Sequence, residues 1–467
     1  MKRVLIINMP SAINIYSQSK IKAAVAPRPF LSLVALAASV LETGNDAKIL
    51  DLQLSKDPFK EIRNSLVDYR PTIIGLSFTT PLYPEAKKIA QFIKESYPEV
   101  KIISGGVHTS IMPEQVLNET DIDIAVIGEG DITIKEIVQD LPLTSIKGIA
   151  FRDKKDKTKI IKTPPRPLVQ DLDSLPMPAW HLLSIKSYKN PRMMARKNPV
   201  ATIETSRGCV FGCTYCNKSV FGRTFRFKSV KRVVDEFEHL KKLGFGEIHV
   251  WDDMFSTNMP RAKAICDEII NRKIKIPWQL DCGVRVNCVD QEFFYKLKKA
   301  GCYKVAFGYE SGNNQVLKNV HKEATIEQAF EATKMAKKAK LEVVGFFMLG
   351  LPGETVETMN DTINYAIKLD IDYAKATILV PYPSTEIYCE WKQQGHIKSE
   401  DWGRYNDHSP SKVYDHPALD WETLGKYYDL FYKKFYIRPR YISKKLVKDT
   451  LNGTLLYDAY YAIKTFI

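Results

Sequence analysis

Over the first 150 residues, short β-branched runs alternate with amphipathic helical stretches, and this alternation constrains the fold more than any other feature. Residues 4–8, 48–52, 72–78, 101–104 and 124–127 read as buried parallel strands. Between them, Leu31, Val34, Ala35, Ala38 and Leu41 form one helical stripe. Ala86, Ile89, Ala90 and Ile93 form another, with the charges on the opposite face. The alternation predicts a doubly wound α/β sheet, whose ligands bind beyond the carboxyl ends of the strands. Those ends are small or polar here: residues 8–11, Ser77 and Thr79, Gly105, Gly106 and His108, then Gly128, Glu129 and Gly130. Small residues let a bulky ligand approach the backbone. There is no G-x-G-x-x-G after the first strand and no P-loop, so dinucleotide and nucleoside-triphosphate readings lose their usual support. His108 reads either as a metal ligand or as a surface or hydrogen-bonding residue.

The rest of the composition narrows the class. A chain of 467 residues, 45% hydrophobic and 26% charged, holds two to four domains with cores of their own. No apolar run reaches the roughly 18–20 residues that span a bilayer. Residues 1–7 read as a buried strand rather than a signal peptide, which predicts a cytoplasmic protein. The net charge is +14, yet residues 151–200 alone hold twelve cations against four acids. The excess therefore concentrates in one stretch, where residues 152–159 read as a solvated hairpin tip, and a nucleic-acid-binding face is not expected. Eight cysteines are present and none precedes Cys209. That distribution favours metal or redox chemistry in a reducing compartment over a disulfide framework.

Three of those cysteines, Cys209, Cys213 and Cys216, are spaced C-x3-C-x2-C between a strand at 200–203 and a helix striped by Val230, Val233, Val234, Phe237 and Leu240. A structural zinc site wants four ligands, and no fourth partner is evident nearby. A four-iron cluster on three thiolates leaves one iron open, as a catalytic site requires. Cys266, Cys282, Cys288 and Cys302 lie in apolar contexts and read as core thiols.

The motif resembles that of the radical S-adenosylmethionine superfamily, C-x3-C-x-aromatic-C, with Tyr215 as the aromatic residue. The resemblance implies a [4Fe–4S] cluster whose open iron is chelated by S-adenosylmethionine, and reductive cleavage of that molecule to a 5′-deoxyadenosyl radical. Strand-like runs at 247–250, 278–280, 304–307, 343–348 and 373–378 fit the family's partial (β/α)6 barrel. By the same resemblance, S-adenosylmethionine would meet Tyr215, Asp252, Asp253, Arg285, Glu310, Ser311, Gly350 and Glu354. Taken singly, Asp252 and Asp253 could equally cap a helix, and residues 350–353 could form a plain turn.

A cysteine-free flavodoxin-like domain ahead of the barrel resembles the cobalamin-binding branch of that superfamily. So do residues 105–109, 126–131, 171–178 and 381–386. Methylthiotransferases acting on tRNA differ in carrying cysteines in their first domain. The implied cobalamin would lie against Ser77, Thr79, Gly105, Gly106, His108, Gly128, Glu129 and Gly130. No D-x-H-x-x-G is present, so it would be bound base-off without a histidine ligand.

The expected organisation is a cobalamin-binding domain over 1–150, a linker with a basic hairpin over 151–199, a radical barrel over 200–395 and a small, mostly helical extension over 396–467. The implied reaction is methylation of an unactivated carbon through methylcobalamin. Its substrate would be a small molecule or lipid-like, such as a hopanoid or tetraether, and its electron donor a flavodoxin or ferredoxin. The rivals are a cyclase or oxidative enzyme of the same branch that transfers no methyl, and a non-catalytic cobalamin carrier or sensor. No general acid or base is identifiable. The aromatic, basic stretches at 427–440 and 457–461 read as a helical cap on the barrel, broken at Pro439, or as a surface for peripheral membrane contact.

Overall fold

The computed structural model describes residues 1–10, 27–192, 194–406 and 412–451. The five expected strands join two more in a seven-stranded sheet: β1 (Arg3–Asn8), β2 (Asp46–Asp51), β3 (Ile73–Ser77), β4 (Lys101–Gly105), β5 (Ile124–Val126), β6 (Ile149–Arg152) and β7 (Ile160–Lys162). Their order is β2-β1-β3-β4-β5-β6-β7, with the first five parallel and the last two antiparallel. The order 2-1-3-4-5 is flavodoxin-like, and its switch point lies between β1 and β3. Residue 150 falls inside β6, so the basic hairpin continues this sheet. Its tip is solvated as expected, with Asp153 accepting backbone bonds from Lys155 and Asp156.

The helix Tyr83–Ser96 buries all four expected stripe residues. Helix Leu31–Glu42 buries only Val34 and Ala38 of its expected stripe, leaves Leu31, Ala35 and Leu41 partly exposed, and buries Leu33, Ala37 and Val40 as well. The reason is tertiary: the segment before the barrel crosses it, and Ala179 N–H donates to the Val34 carbonyl at 2.9 Å.

Six parallel strands build the second sheet: β8 (Val200–Ile203), β11 (Glu247–Val250), β12 (Trp278–Val284), β13 (Cys302–Glu310), β14 (Glu342–Leu349) and β15 (Tyr373–Ile378). They run in sequential order from β8 to β15 and do not close, which is the expected partial barrel. A two-stranded antiparallel pair, β9 (Ser206–Arg207) and β10 (Arg226–Phe227), sits above β8. Helices cover the outside: Val233, Val234, Phe237 and Leu240 of helix Val230–Lys242 are buried, and Thr325 with Gln328 forms a capping box at the start of helix Ile326–Lys338. One continuous apolar core runs through both sheets. At the barrel's open side, Thr202 of β8 donates to the Pro29 carbonyl, and Arg28 pairs with Asp281 at 3.0 Å.

The free edge of β15 is closed by tyrosines. On helix Trp421–Tyr436, the Tyr432 hydroxyl accepts from Ala376 N–H and donates to its carbonyl, while Tyr436 does the same at Ala374. Four helical residues rise about 6.0 Å and two strand residues about 6.6 Å, so an i, i+4 pair meets alternate strand residues in register. The next helix, Pro439–Leu451, starts at the expected break. The C-terminal aromatics at 427–440 thus form the helical cap; residues 457–461 and Ser11 lie outside the described residues.

Candidate functional site

All three motif cysteines lie on the loop between β9 and β10, at the carboxyl end of β8. The neck of this loop is tight: a Cβ on Gly208, whose φ is +88°, would sit 2.4 Å from the Thr224 carbonyl oxygen. Cys213 is buried and Cys216 exposed, and their thiols touch. That hydrogen bond, with the Lys322 and Arg285 cations nearby, lowers the pKa of the Cys213 thiol below its usual range. Among the described residues, no three His, Cys, Asp or Glu side chains converge as a single metal ion would require. A four-iron cubane fits the loop better, because it takes each thiolate on a different iron.

Around the loop stand several residues expected from sequence. Asp253 is exposed and accepts from Gly208 N–H at 2.8 Å. The Arg285 guanidinium stacks on Phe211 of the loop, 3.4 Å from the ring centroid, and donates to the Lys322 carbonyl. Glu310 ends β13 with φ +61°, a left-handed conformation that costs a non-glycine residue about 1–3 kcal/mol. Its carboxylate accepts from Lys322 Nζ at 2.8 Å, and the same ammonium reaches the Tyr215 hydroxyl at 3.4 Å. Lys322 is the residue that sequence reasoning missed. It follows helix Asn314–Asn319 in a turn where His321 and Glu323 also have positive φ, and no sequence signal marks it.

Other expected contacts are spoken for within the protein. Asp252 has no exposed surface and accepts from Thr205 N–H, the Thr205 hydroxyl and the Ser206 hydroxyl, so it anchors the end of β8. Ser311 is fully buried against Thr362. Glu354 is fully buried and accepts from Gly350 and Leu351 N–H, which closes the 350–353 turn; burial pushes its carboxyl up to about 8. The C-terminal extension covers that turn, with Leu424 and Tyr414 over Gly350. Of the four cysteines read as core thiols, Cys266 and Cys302 are buried, while Cys282 and Cys288 are partly exposed. Cys288 lies close enough to Cys209 to interact electrostatically, because the turn after β12 folds back over the loop.

On the first sheet, Ser77, Thr79, Gly105, Gly106, Gly128 and Gly130 make a shelf of small residues at the carboxyl ends of β3, β4 and β5, with Thr79 exposed and the others partly exposed. The shelf carries no bulky side chain, which fits a large planar cofactor lying across it. Two expected contacts do not reach it. His108 has no exposed surface: Phe78, Tyr83 and Trp402 box it in, Thr80 bonds its Nδ1, and burial lowers it to about 4. Glu129 is buried because its oxygens meet Arg207, Arg226 and Val169 N–H.

Two family models match the chain. That for the radical SAM superfamily covers residues 203–366, and that for the B12 binding domain covers residues 28–138. An uncharacterised methyltransferase of Pyrococcus horikoshii is 35% identical over 438 residues, spanning 93% of this chain and 92% of its own. The chain belongs to the cobalamin-binding radical S-adenosylmethionine enzymes. The anaerobic magnesium-protoporphyrin IX monomethyl ester cyclase of Rubrivivax gelatinosus is 28% identical over 427 residues, 89% of this chain and 75% of its own. The methyltransferase TsrM of Kitasatospora setae, solved with cobalamin and a [4Fe–4S] cluster, has the same fold: TM-score 0.68 at 20% identity, covering 84% of this chain and 75% of that one. The cofactors of this family of enzymes are the [4Fe–4S] cluster, S-adenosylmethionine and cobalamin, and the cysteine loop and the small-residue shelf suit them. No helix among the described residues is long and apolar enough to cross a membrane.

Proposed function

We propose that the chain transfers a methyl group to a carbon of a small-molecule substrate. The observation that carries this reading is the apposition of the two sites: the cysteine loop packs against the turn after β5, with the Val220 carbonyl facing Gly128 at the edge of the shelf. When bound, the cluster supplies the electron that breaks the S-adenosylmethionine sulfonium, and cobalamin carries the methyl group. The chain's own residues orient and charge-balance that site. Cys209, Cys213 and Cys216 would hold the cluster, with the Lys322 ammonium offsetting negative charge beside two of them. Asp253 would accept from the amino group of S-adenosylmethionine, and Arg285 braces the loop through Phe211. The pair Glu310–Lys322 would present a carboxylate to the ribose.

The electron donor in this reading is a flavodoxin or ferredoxin. It is supported by a surface cleft over exposed Cys216 whose lining includes Lys218 and Arg223, cations that would meet an acidic partner. Peripheral membrane contact is supported by helix Pro439–Leu451, where Ile442, Leu446 and Val447 are exposed beside Lys444 and Lys445. Sedimentation with anionic vesicles should fall when the chain is truncated after Arg440; unchanged sedimentation would end that part of the reading.

The experiment for the reaction is anaerobic. Wild-type protein with cluster, cobalamin, S-adenosylmethionine, a small-molecule substrate and a reductant should form 5′-deoxyadenosine and a product one methyl heavier, and Cys213→Ala should form neither. Retained cleavage in Cys213→Ala would refute the cluster assignment. The cyclase relative favours one second reading, a ring closure without methyl transfer, which a product lighter by hydrogens would establish. Cofactor binding with no turnover at all would indicate a carrier.

A further inference from the structure

Both ends of the cysteine loop are held by carboxylates of the other domain. Arg207 is the last residue before Gly208 and Cys209, and Arg226 ends the loop; the two pair across β9 and β10. Arg207 Nη1 donates to Glu129 Oε1 at 3.0 Å and to Asp131 Oδ2 at 2.8 Å. Arg226 Nη1 donates to the same Glu129 at 2.9 and 3.1 Å. Phe221, from the middle of the loop, packs near both guanidinium groups, 5.8 and 5.7 Å from its ring centroid. The Glu129 carboxylate also accepts from Val169 N–H at 2.8 Å, and Arg226 donates to the Val169 carbonyl, so the connecting segment joins the same knot. Glu204 completes it through Arg207 Nε at 2.7 Å. The side chains of Glu129, Asp131, Arg207 and Arg226 are all less than a tenth exposed.

We propose that Glu129 and Asp131 are positioning residues for the cluster: the turn after β5 of the cobalamin-binding domain fixes the neck of the loop that bears all three cysteines. The inference rests on the cluster reading of that loop. Its physical basis is that Glu129 is the carboxylate paired with the buried Arg226, while Glu129 and Asp131 together hold Arg207, so moving this turn would leave buried charge poorly compensated at the neck. Glu129 then serves the cluster and touches no corrin, although it lies between two glycines of the shelf. The barrel does not hold its own cysteine loop unaided; part of the clamp lies outside it.

The test uses the full chain, reconstituted anaerobically, as wild type and as Glu129→Gln, which removes charge and keeps shape. Hydroxocobalamin affinity, read by absorbance titration, should stay within about twofold. Iron release to a chelator should accelerate at least about tenfold, and the reduced cluster's electron paramagnetic resonance signal should broaden as the thiolates adopt several arrangements. Glu129→Asp, which keeps the charge, should recover part of the slow release. Unchanged iron release and spectrum in Glu129→Gln would overturn the proposal. So would a tenfold loss of cobalamin affinity, which would return Glu129 to the shelf. If Glu129→Gln does not fold, Asp131→Asn decides by the same readouts, since it weakens bonds to Arg207 alone. A wild-type chain that takes up no cluster would remove the cofactor reading, and the proposal with it.

Discussion

Tyr432→Phe and Tyr436→Phe test how the barrel's last strand is finished. Each change deletes one oxygen and leaves the ring in place, so packing on β15 is preserved. Each hydroxyl serves one strand residue twice, accepting from its N–H and donating to its carbonyl at 2.8–3.1 Å. Deleting it strands both groups beneath a helix, where an unmade bond costs about 1–3 kcal/mol. Each single variant should therefore lose about 1–3 kcal/mol. The double variant should lose about 2–5 kcal/mol, short of strict additivity because the two sites share one edge. Urea unfolding followed by circular dichroism measures the total. Amide hydrogen exchange over residues 373–378 measures where it falls, and a local loss of that size should speed exchange at Ala374 and Ala376 roughly 5- to 150-fold. Tyr427→Phe, on a half-buried position that accepts only from Asn360, is the control and should change stability by less than about 1 kcal/mol. Unchanged exchange at β15, with both variants within about 0.5 kcal/mol of wild type, would refute the edge-capping argument.

Two further perturbations probe the sites. A Cβ on Gly106, whose φ is +98°, would lie 2.6 Å from the Phe78 carbonyl oxygen. Gly106→Ala should cost about 2–5 kcal/mol, combining the conformational strain with the clash, and should weaken cobalamin binding because the shelf must shift; normal stability would show that the junction of β3 and β4 is softer than its geometry implies. The Glu354 carboxyl titrates near 8 when folded against 4.5 as its ordinary value, so between those pH values the folded chain binds more protons than the unfolded one. Stability contributed at this position is therefore full at low pH and lost as pH rises through 8, and Glu354→Gln should gain on wild type across that window in pH-dependent urea unfolding. A constant difference between the two proteins would remove the burial explanation.

The sequence determined what is local. Alternation of strand and helix periods sets the two sheets, because a residue's face within an element follows from its spacing. Three cysteines within eight residues must share a loop whatever surrounds them, so the proposed cluster ligands are legible too. The absence of cysteines before Cys209 is likewise a feature the sequence alone displays. What needed tertiary structure was the direction in which each turn residue points. Asp252 and Asp253 are neighbours in sequence, yet Asp252 is consumed by Thr205 and Ser206 while Asp253 stays open beside Gly208. His108 and Glu129 lie in the small-residue turns that flag a ligand shelf, yet an aromatic box and two arginines from distant segments turn them inward. Lys322 reaches Tyr215 of the cysteine loop only because a turn far along the chain folds over that loop. A side chain at a strand end takes its role from whichever distant group offers the best partner for its charge. That partner is fixed by packing, not by spacing.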